Sequence, residues 1–337
     1  MRFVVRPSPA MPSEFRAEAA GMRSVYAGVD IGGTNTVLVL YDERRRPLAK
    51  TRFPTLGERR ELYGNPSGYM DRLETELRRA TEELFPSGGA RLTAVGIGVP
   101  GQVAPETGIV RDATNLGWGE VELAGRMAAR LRTPVRIEHD VRAFAWGETM
   151  AGSAQGSRVA ICLTIGTGIA AGVVLDGRLV YGSRYLAGEI GHDSVDGLRT
   201  ACACGKTGCL ETVVSAPGIA RLAEQAGLGD AGGYPSRPSA ADVSRMCEDN
   251  DERALNLYRY VAGTLAGKLG TAVALLDPDV VVIGGGVAEA GEWLFGPLRE
   301  RLDAAFPWLE GKLRIVKSAL GEDAVPLGAL HLAYPED

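Results

Sequence analysis

Apolar positions along this chain recur with two periods. Residues 24–30 and 36–42 are β-branched and aliphatic almost without a break, the pattern of strands covered on both faces. The segment IGGTN at 31–35 joins them, so residues 24–42 read as a hairpin with glycines at its tip. A third strand is expected at 48–53. Asn65-Pro66 then supplies an N-cap and a first-turn proline, after which Met70, Leu73, Leu77, Ala80 and Leu84 fall at helical spacing. A buried strand at 92–99 ends in Pro100-Gly101 and is followed by a helix at 121–131, a strand at 135–138 and a helix at 141–150.

The hairpin plan then returns. Residues 159–165 and 169–175 read as strands joined by Gly166-Thr167-Gly168, and Asp176-Gly177 is a turn signal before a short return at 178–181. This echo of residues 24–42 suggests two halves of related design facing each other across a cleft. A helix is expected from about residue 217, a surface loop at 231–239, and a long helix at 252–276 with Ala254, Leu257, Val261, Leu265, Leu269 and Ala272 on one stripe. A β-branched strand at 279–283 runs into Gly284-Gly285-Gly286, and a helix at 292–306, a strand at 313–316 and a helix at 326–333 complete an α/β pattern.

Composition narrows the function classes. A length of 337 residues suggests two domains. The net charge of −5, with no basic block beyond Arg44–Arg46, argues against a nucleic-acid surface. No charge-free apolar run approaches the roughly twenty residues that span a membrane, and residues 1–24 carry no signal-peptide core, reading as a tail. Five cysteines, three of them clustered, fit the reducing cytoplasm better than a disulfide framework, and Cys162 and Cys247 read as small buried hydrophobes.

The cluster lies in GEIGHDSVDGLRTACACGKTGCLE, residues 188–211. His192, Cys202, Cys204 and Cys209 make one imidazole and three thiolates, the closed ligand set of a structural zinc site with no open position for water. Glu189 and Glu211 flank it, so a metal here would fix two carboxylates in space. Three glycine turns, at 30–36, 166–168 and 284–286, each cap an apolar strand and offer backbone N–H groups of the kind that bind anions. None has the G-x-x-x-x-G-K-[ST] spacing, which excludes a P-loop. His139 and Asp140 sit where a strand ends and a helix begins, the place α/β proteins put ligands.

Together DIGGTNT (30–36), IGTGI (165–169), EIGH (189–192) with CACGKTGCLE (202–211), and VVIGGG (281–286) resemble the ROK family of sugar kinases and repressors, over about residues 25–333. The resemblance implies the actin-like ATPase fold of the hexokinases and sugar kinases, two α/β domains around a cleft. The smaller would span 25–138 joined by a C-terminal helix at 322–337, and the larger 139–321 with the zinc loop. It implies an ATP-dependent kinase, with Mg2+, acting on the primary (6-) hydroxyl of a hexose-like sugar, and a homodimer or tetramer. Asp30, Gly32, Gly33, Thr34 and Asn35 with Gly166, Thr167 and Gly168 would bind phosphates, and Gly284, Gly285 and Gly286 would lie near adenosine. Asp140 would be the general base, where a plain helix N-cap is the alternative. Asn115, Glu189, His192 and Glu211 match positions that hydrogen-bond sugar hydroxyls, with His192 placing one ring nitrogen on zinc and the other on sugar.

One motif departs from the family. Its usual Asn-Asp-Ala-Asn appears here as His139-Asp140-Val141-Arg142. The Asn replaced by His139 touches the sugar, so His139 is expected either to contact substrate or to pack, and an amino sugar, another hexose or a carbocyclic analogue stands beside glucose as acceptor. Use of polyphosphate in place of ATP stays open. A DNA-binding repressor is disfavoured by the short stretch before the first strand and the negative charge, and a non-catalytic sensor by retention of Asp140 and all three turns.

Overall fold

In the computed structural model, which describes residues 22–230 and 234–334, the first two apolar runs pair as antiparallel neighbours, β1 (Arg23–Ile31) and β2 (Asn35–Tyr41). Strand β3 (Pro47–Pro54) joins the free edge of β2, and β4 (Ala90–Val99) lies parallel to β1 on its other side. Strand β7 (Val135–His139) extends the parallel part, so the sheet order is β3-β2-β1-β4-β7. Between β4 and β7 the chain adds a small antiparallel ribbon, β5 (Gln102–Ala104) with β6 (Ile109–Asp112), which the periodicity of so short a stretch does not reveal.

Helix α1 (Pro66–Leu84) forms where expected. The Asn65 side chain accepts the Gly68 N–H, and Met70, Leu73, Leu77 and Ala80 are buried with Val29, Leu38 and Ile97 of the sheet. Helix α2 (Leu123–Leu131) packs beside it and against β7. Helix α3 (Asp140–Ala151) follows β7 directly, and a last helix, α9 (Ala324–Ala333), packs on β1, β4 and β7.

The second sheet repeats the first. Strands β8 (Val159–Ile165), β9 (Ile169–Leu175) and β10 (Arg178–Leu179) are antiparallel, and β11 (Val280–Gly284) and β12 (Arg314–Lys317) add in parallel, giving β10-β9-β8-β11-β12. The hairpin echo in the sequence is thus an echo of topology. Helices α4 (Glu211–Val214), α5 (Ala216–Gln225), α6 (Ala240–Glu248), α7 (Glu252–Leu276) and α8 (Glu292–Ala305) build the core over it. On α7 the stripe is buried as read except at its end, where Val273 rather than Ala272 faces inward. Helix α6 was not read from periodicity, although Ser239 and Asp242 form a complete capping box at its start. Of the loop expected at 231–239, residues 231–233 lie outside the described residues, as do 1–21 of the expected tail, while Arg23 already belongs to β1.

The chain divides into one unit of Met1–Gly147 with Glu322–Asp337 and a second of Glu148–Gly321. The division falls inside α3 and not at 138/139. The physical reason is a change of partners at one peptide bond. A Cβ on Gly147 would stand 2.2 Å from the Ala324 carbonyl oxygen of α9, so the helix start is pressed onto the first unit. Glu148, fully buried, instead accepts the Ser153 N–H at 2.7 Å and the Ser318 hydroxyl at 2.5 Å, both in the second unit. Among the described residues no helix is long and apolar enough to cross a membrane.

Candidate functional site

In the first unit the parallel strands bring the candidate residues to one edge. Asp30 pairs in register with Gly98, and Val99 with His139, so Asp30, His139 and Asp140 all stand at carboxyl ends of parallel strands. The turn between β1 and β2 is closed by Gly32 N–H donating to the Asn35 carbonyl at 3.1 Å. Thr55 braces it, its hydroxyl donating to the Gly32 carbonyl at 2.7 Å and its N–H to the Thr34 carbonyl at 2.9 Å. Gly33 and Thr34 remain exposed at the tip.

Asp140 is the first residue of α3. Its Oδ1 accepts the Val141 N–H at 2.7 Å and lies 3.3 Å from His139 Nε2. Its Oδ2 has no hydrogen-bond partner among the described residues, and the side chain is 27% exposed. Burial first, and the Asp140 and Glu322 carboxylates second, push the Asp30 carboxyl up to about 8. Asp30 is thereby driven toward the neutral acid. Sequence reading missed what lies beneath. Glu138 and Arg142, 4% and 2% exposed, form an ion pair with Nε to Oε1 at 2.7 Å. Their i, i+4 spacing was the available signal, hidden because it crosses a strand–helix boundary. Asn115 stands apart, exposed on a turn (Thr114–Leu116) whose Leu116 is buried, and its own side chain has no hydrogen bond among the described residues.

In the second unit the other two glycine turns lie side by side, at the carboxyl ends of the paired strands β8 and β11. Gly166 N–H donates to the Gly168 carbonyl at 2.9 Å, and the Ala216 N–H of α5 donates to the Gly166 carbonyl at 2.8 Å. Gly285, at φ +85°, has no room for a side chain, since a Cβ would stand 2.5 Å from the Ile165 carbonyl oxygen. Thr167, Gly285 and Gly286 are exposed.

The cysteine loop is shaped by backbone bonds: Val195 N–H to Gly208 O at 2.7 Å, Cys202 N–H to Lys206 O at 2.8 Å and Leu210 N–H to Asp193 O at 2.9 Å. These bring one ligand atom each from His192, Cys202, Cys204 and Cys209 within 4.8 Å of one another. Cys202 Sγ is 3.8 Å from His192 Nδ1, and Cys204 Sγ 3.6 Å from Cys209 Sγ. Tetrahedral zinc with Zn–S bonds of about 2.3 Å places its sulfurs about 3.8 Å apart, so the donor set and its spacing fit that ion. Burial pushes the Cys202 thiol up to about 12, while the Lys206 backbone N–H draws Cys204 below the usual thiol range.

The neighbouring carboxylates lie as the sequence reading placed them. His192 turns Nδ1 to the thiols and Nε2 toward Glu189 Oε2, 3.9 Å away. Glu211, at the start of α4, accepts the Ile169 N–H on Oε2 at 3.3 Å, and its Oε1 lies 3.7 Å from Cys202 Sγ. A Cβ on Gly168 would come within 2.6 Å of that Oε2, so the glycine leaves room for the carboxylate.

Comparison with known proteins gives a consistent picture. A family model described as the ROK family matches residues 26–336. A glucokinase of Thermotoga maritima is 35% identical over 312 residues, covering 90% of this chain and 95% of that protein. An N-acetyl-D-glucosamine kinase of Salmonella heidelberg is 31% identical over 275 residues, covering 78% and 84%. Among solved structures, a ROK family glucokinase from Streptomyces griseus in complex with glucose and AMPPNP superposes with a TM-score of 0.75 at 30% identity, over 93% of this chain and 100% of that one.

Asp30 gives a pH test. Its carboxyl ionises near 3.8 in the unfolded chain and about 8 in the fold. Between those values the folded state holds the extra proton, so this group's contribution to stability is present at low pH and is lost as pH rises through the window. Asp30→Asn should therefore raise the thermal midpoint, and by more at pH 8 than at pH 5. Differential scanning calorimetry at both pH values checks it; an equal gain at both refutes it.

Proposed function

This chain belongs to the ROK family and is a sugar kinase, and from that premise we propose that it transfers the γ-phosphate of ATP to the primary, 6-position hydroxyl of a hexose or close hexose analogue, with Asp140 as general base. Its fold is the actin-like ATPase fold of the sugar kinases. The observation that carries the proposal is the state of Asp140. Its Oδ1 is held by hydrogen bonding, its Oδ2 is left open, and the acid beside it, Asp30, is pushed toward the protonated form.

Phosphoryl transfer needs little more than positioning, charge neutralisation and a carboxylate that orients the attacking hydroxyl. In this reading Asp30, Gly32, Gly33, Thr34 and Asn35, with Gly166, Thr167 and Gly168, hold phosphates through the two hairpin turns. Gly284, Gly285 and Gly286 lie by adenosine. Mg2+ would come with ATP and offset phosphate charge. The AMPPNP complex of the Streptomyces griseus relative supports ATP as donor.

Asn115, Glu189, His192 and Glu211 supply hydrogen bonds to the sugar. Zinc, at His192, Cys202, Cys204 and Cys209, is structural: four protein ligands close its shell, and its task is to fix the loop that carries the two glutamates. The glucokinase and N-acetyl-D-glucosamine kinase relatives support a hexose-class acceptor, with an amino sugar or a carbocyclic analogue as the second reading. The protein acts as a homodimer in the cytoplasm, whose reducing poise keeps Cys162 and Cys247 as thiols and the three ligand cysteines out of disulfides. A coupled ADP-release assay over hexoses, amino sugars and cyclitols, run beside polyphosphate as donor, tests the reading; absence of phosphorylated product from every acceptor refutes it.

Asp140→Asn should keep sugar affinity and lose turnover by about 10²–10⁴, the usual span for a general base. Turnover near that of the parent would return Asp140 to helix capping. The purified protein should hold one zinc per chain by elemental analysis, and Cys204→Ser should lose both the metal and sugar binding, since the energy of such a site is also folding energy for its loop. A zinc-free protein with full activity refutes this.

A further inference from the structure

The imidazole of His139 is turned onto the residue that follows it. Its Nε2 lies 3.3 Å from Asp140 Oδ1, and the His139 side chain is 13% exposed. Its backbone is pinned from below, because Glu138 Oε1 accepts the His139 N–H at 2.7 Å and Arg142 Nε at 2.7 Å. Glu138 and Arg142 are almost wholly buried, and a buried ion pair of this kind is costly to break. The geometry at the start of α3 is therefore set by a rigid support. With the backbone at 139 and the first turn of α3 both held, the imidazole and the carboxylate form a neighbouring pair.

We infer that His139 is the positioning residue of the base: it donates Nε2–H to Asp140 Oδ1, so that Oδ2 is the oxygen presented to the sugar hydroxyl. This rests on the proposed role of Asp140. Val141 N–H already donates to Oδ1 and the imidazole lies beside that oxygen, so Oδ1 is engaged while Oδ2 has no partner among the described residues.

The balance of the step is simple. The sugar O–H bond breaks and its proton passes to Oδ2. The sugar oxygen bonds to the γ-phosphorus, the bond from that phosphorus to the bridging oxygen breaks, and its electron pair leaves on ADP. The His139 proton stays on Nε2 throughout. His139 thus acts on the reaction through Asp140, a third role beside the substrate contact and the packing that the sequence left open.

The experiment is a double-mutant cycle on the best acceptor from the panel. His139→Leu, His139→Gln, Asp140→Asn and the combined variants are compared for kcat, and for sugar Kd by calorimetry. His139→Leu should lower kcat about tenfold or more and leave Kd within about threefold, and His139→Gln, which keeps a donor, should recover part of the loss. In the Asp140→Asn background His139→Leu should change the residual turnover less than about twofold, because the group it serves is gone. A raised Kd with kcat kept would make His139 a sugar contact and overturn the inference. An equal loss in both backgrounds would make it a packing residue and overturn it as well. Circular dichroism checks folding, and His139→Ala replaces the leucine variant in the cycle if that variant does not fold. Near-parental turnover in Asp140→Asn alone is a separate outcome, which removes the base and this inference together.

Discussion

The carboxylate of Glu211 accepts the Ile169 N–H on one oxygen and lies against Cys202 Sγ with the other, while Gly168 leaves out the side chain that would displace it. Three features of the second unit meet in that contact: the turn after β8, the cysteine loop, and the first residue of α4. The loop is anchored to the core by Ile190, Val195, Leu198 and Leu210, and its shape comes from backbone bonds and from four ligand atoms drawn to one point. An acid tied to both turn and loop couples the order of one to that of the other.

The first unit reaches its chemistry by a different route. There a parallel sheet brings Asp30 and Asp140 to the same edge, and the fold supplies their difference by burial and charge. Asp30 is desolvated and crowded by like charge. Asp140 keeps partial exposure, with the Val141 N–H on Oδ1 and the His139 imidazole 3.3 Å from that oxygen. Two residues of one type thus meet different surroundings at one end of one sheet. The buried Glu138–Arg142 pair under α3 gives that arrangement its stiffness.

The repetition of sheet order, β3-β2-β1-β4-β7 and β10-β9-β8-β11-β12, explains why the site motifs recur. A hairpin turn of small residues precedes the parallel part of each sheet, and Asp30, His139 with Asp140, and the turns at 166–168 and 284–286 all stand at carboxyl ends of parallel strands. Open α/β sheets leave that end free of covering side chains, so it is where ligands can reach backbone and side chain together.

Much of this was legible in the residues themselves. Periodicity placed the core strands and α1 and α7, because a buried face has to repeat every two or 3.6 residues. The spacing of His192, Cys202, Cys204 and Cys209 singled out four soft donors, and the fold brings one ligand atom of each within 4.8 Å of the others. Short elements escaped, as with β5, β6 and α6, since a few residues hold too little periodicity to stand out. What the sequence could not determine were relations between side chains that meet only after the chain has folded. The unit boundary at Gly147 depends on which carbonyls a helix touches. The raised carboxyl of Asp30 depends on burial and on Asp140 and Glu322, distant in sequence. The turn of His139 toward Asp140 is a side-chain conformation, on a backbone whose N–H is held by Glu138. Local pattern determined which residues were available and on which element each would sit; tertiary packing decided which face one another, because distance, burial and charge are properties of the folded chain.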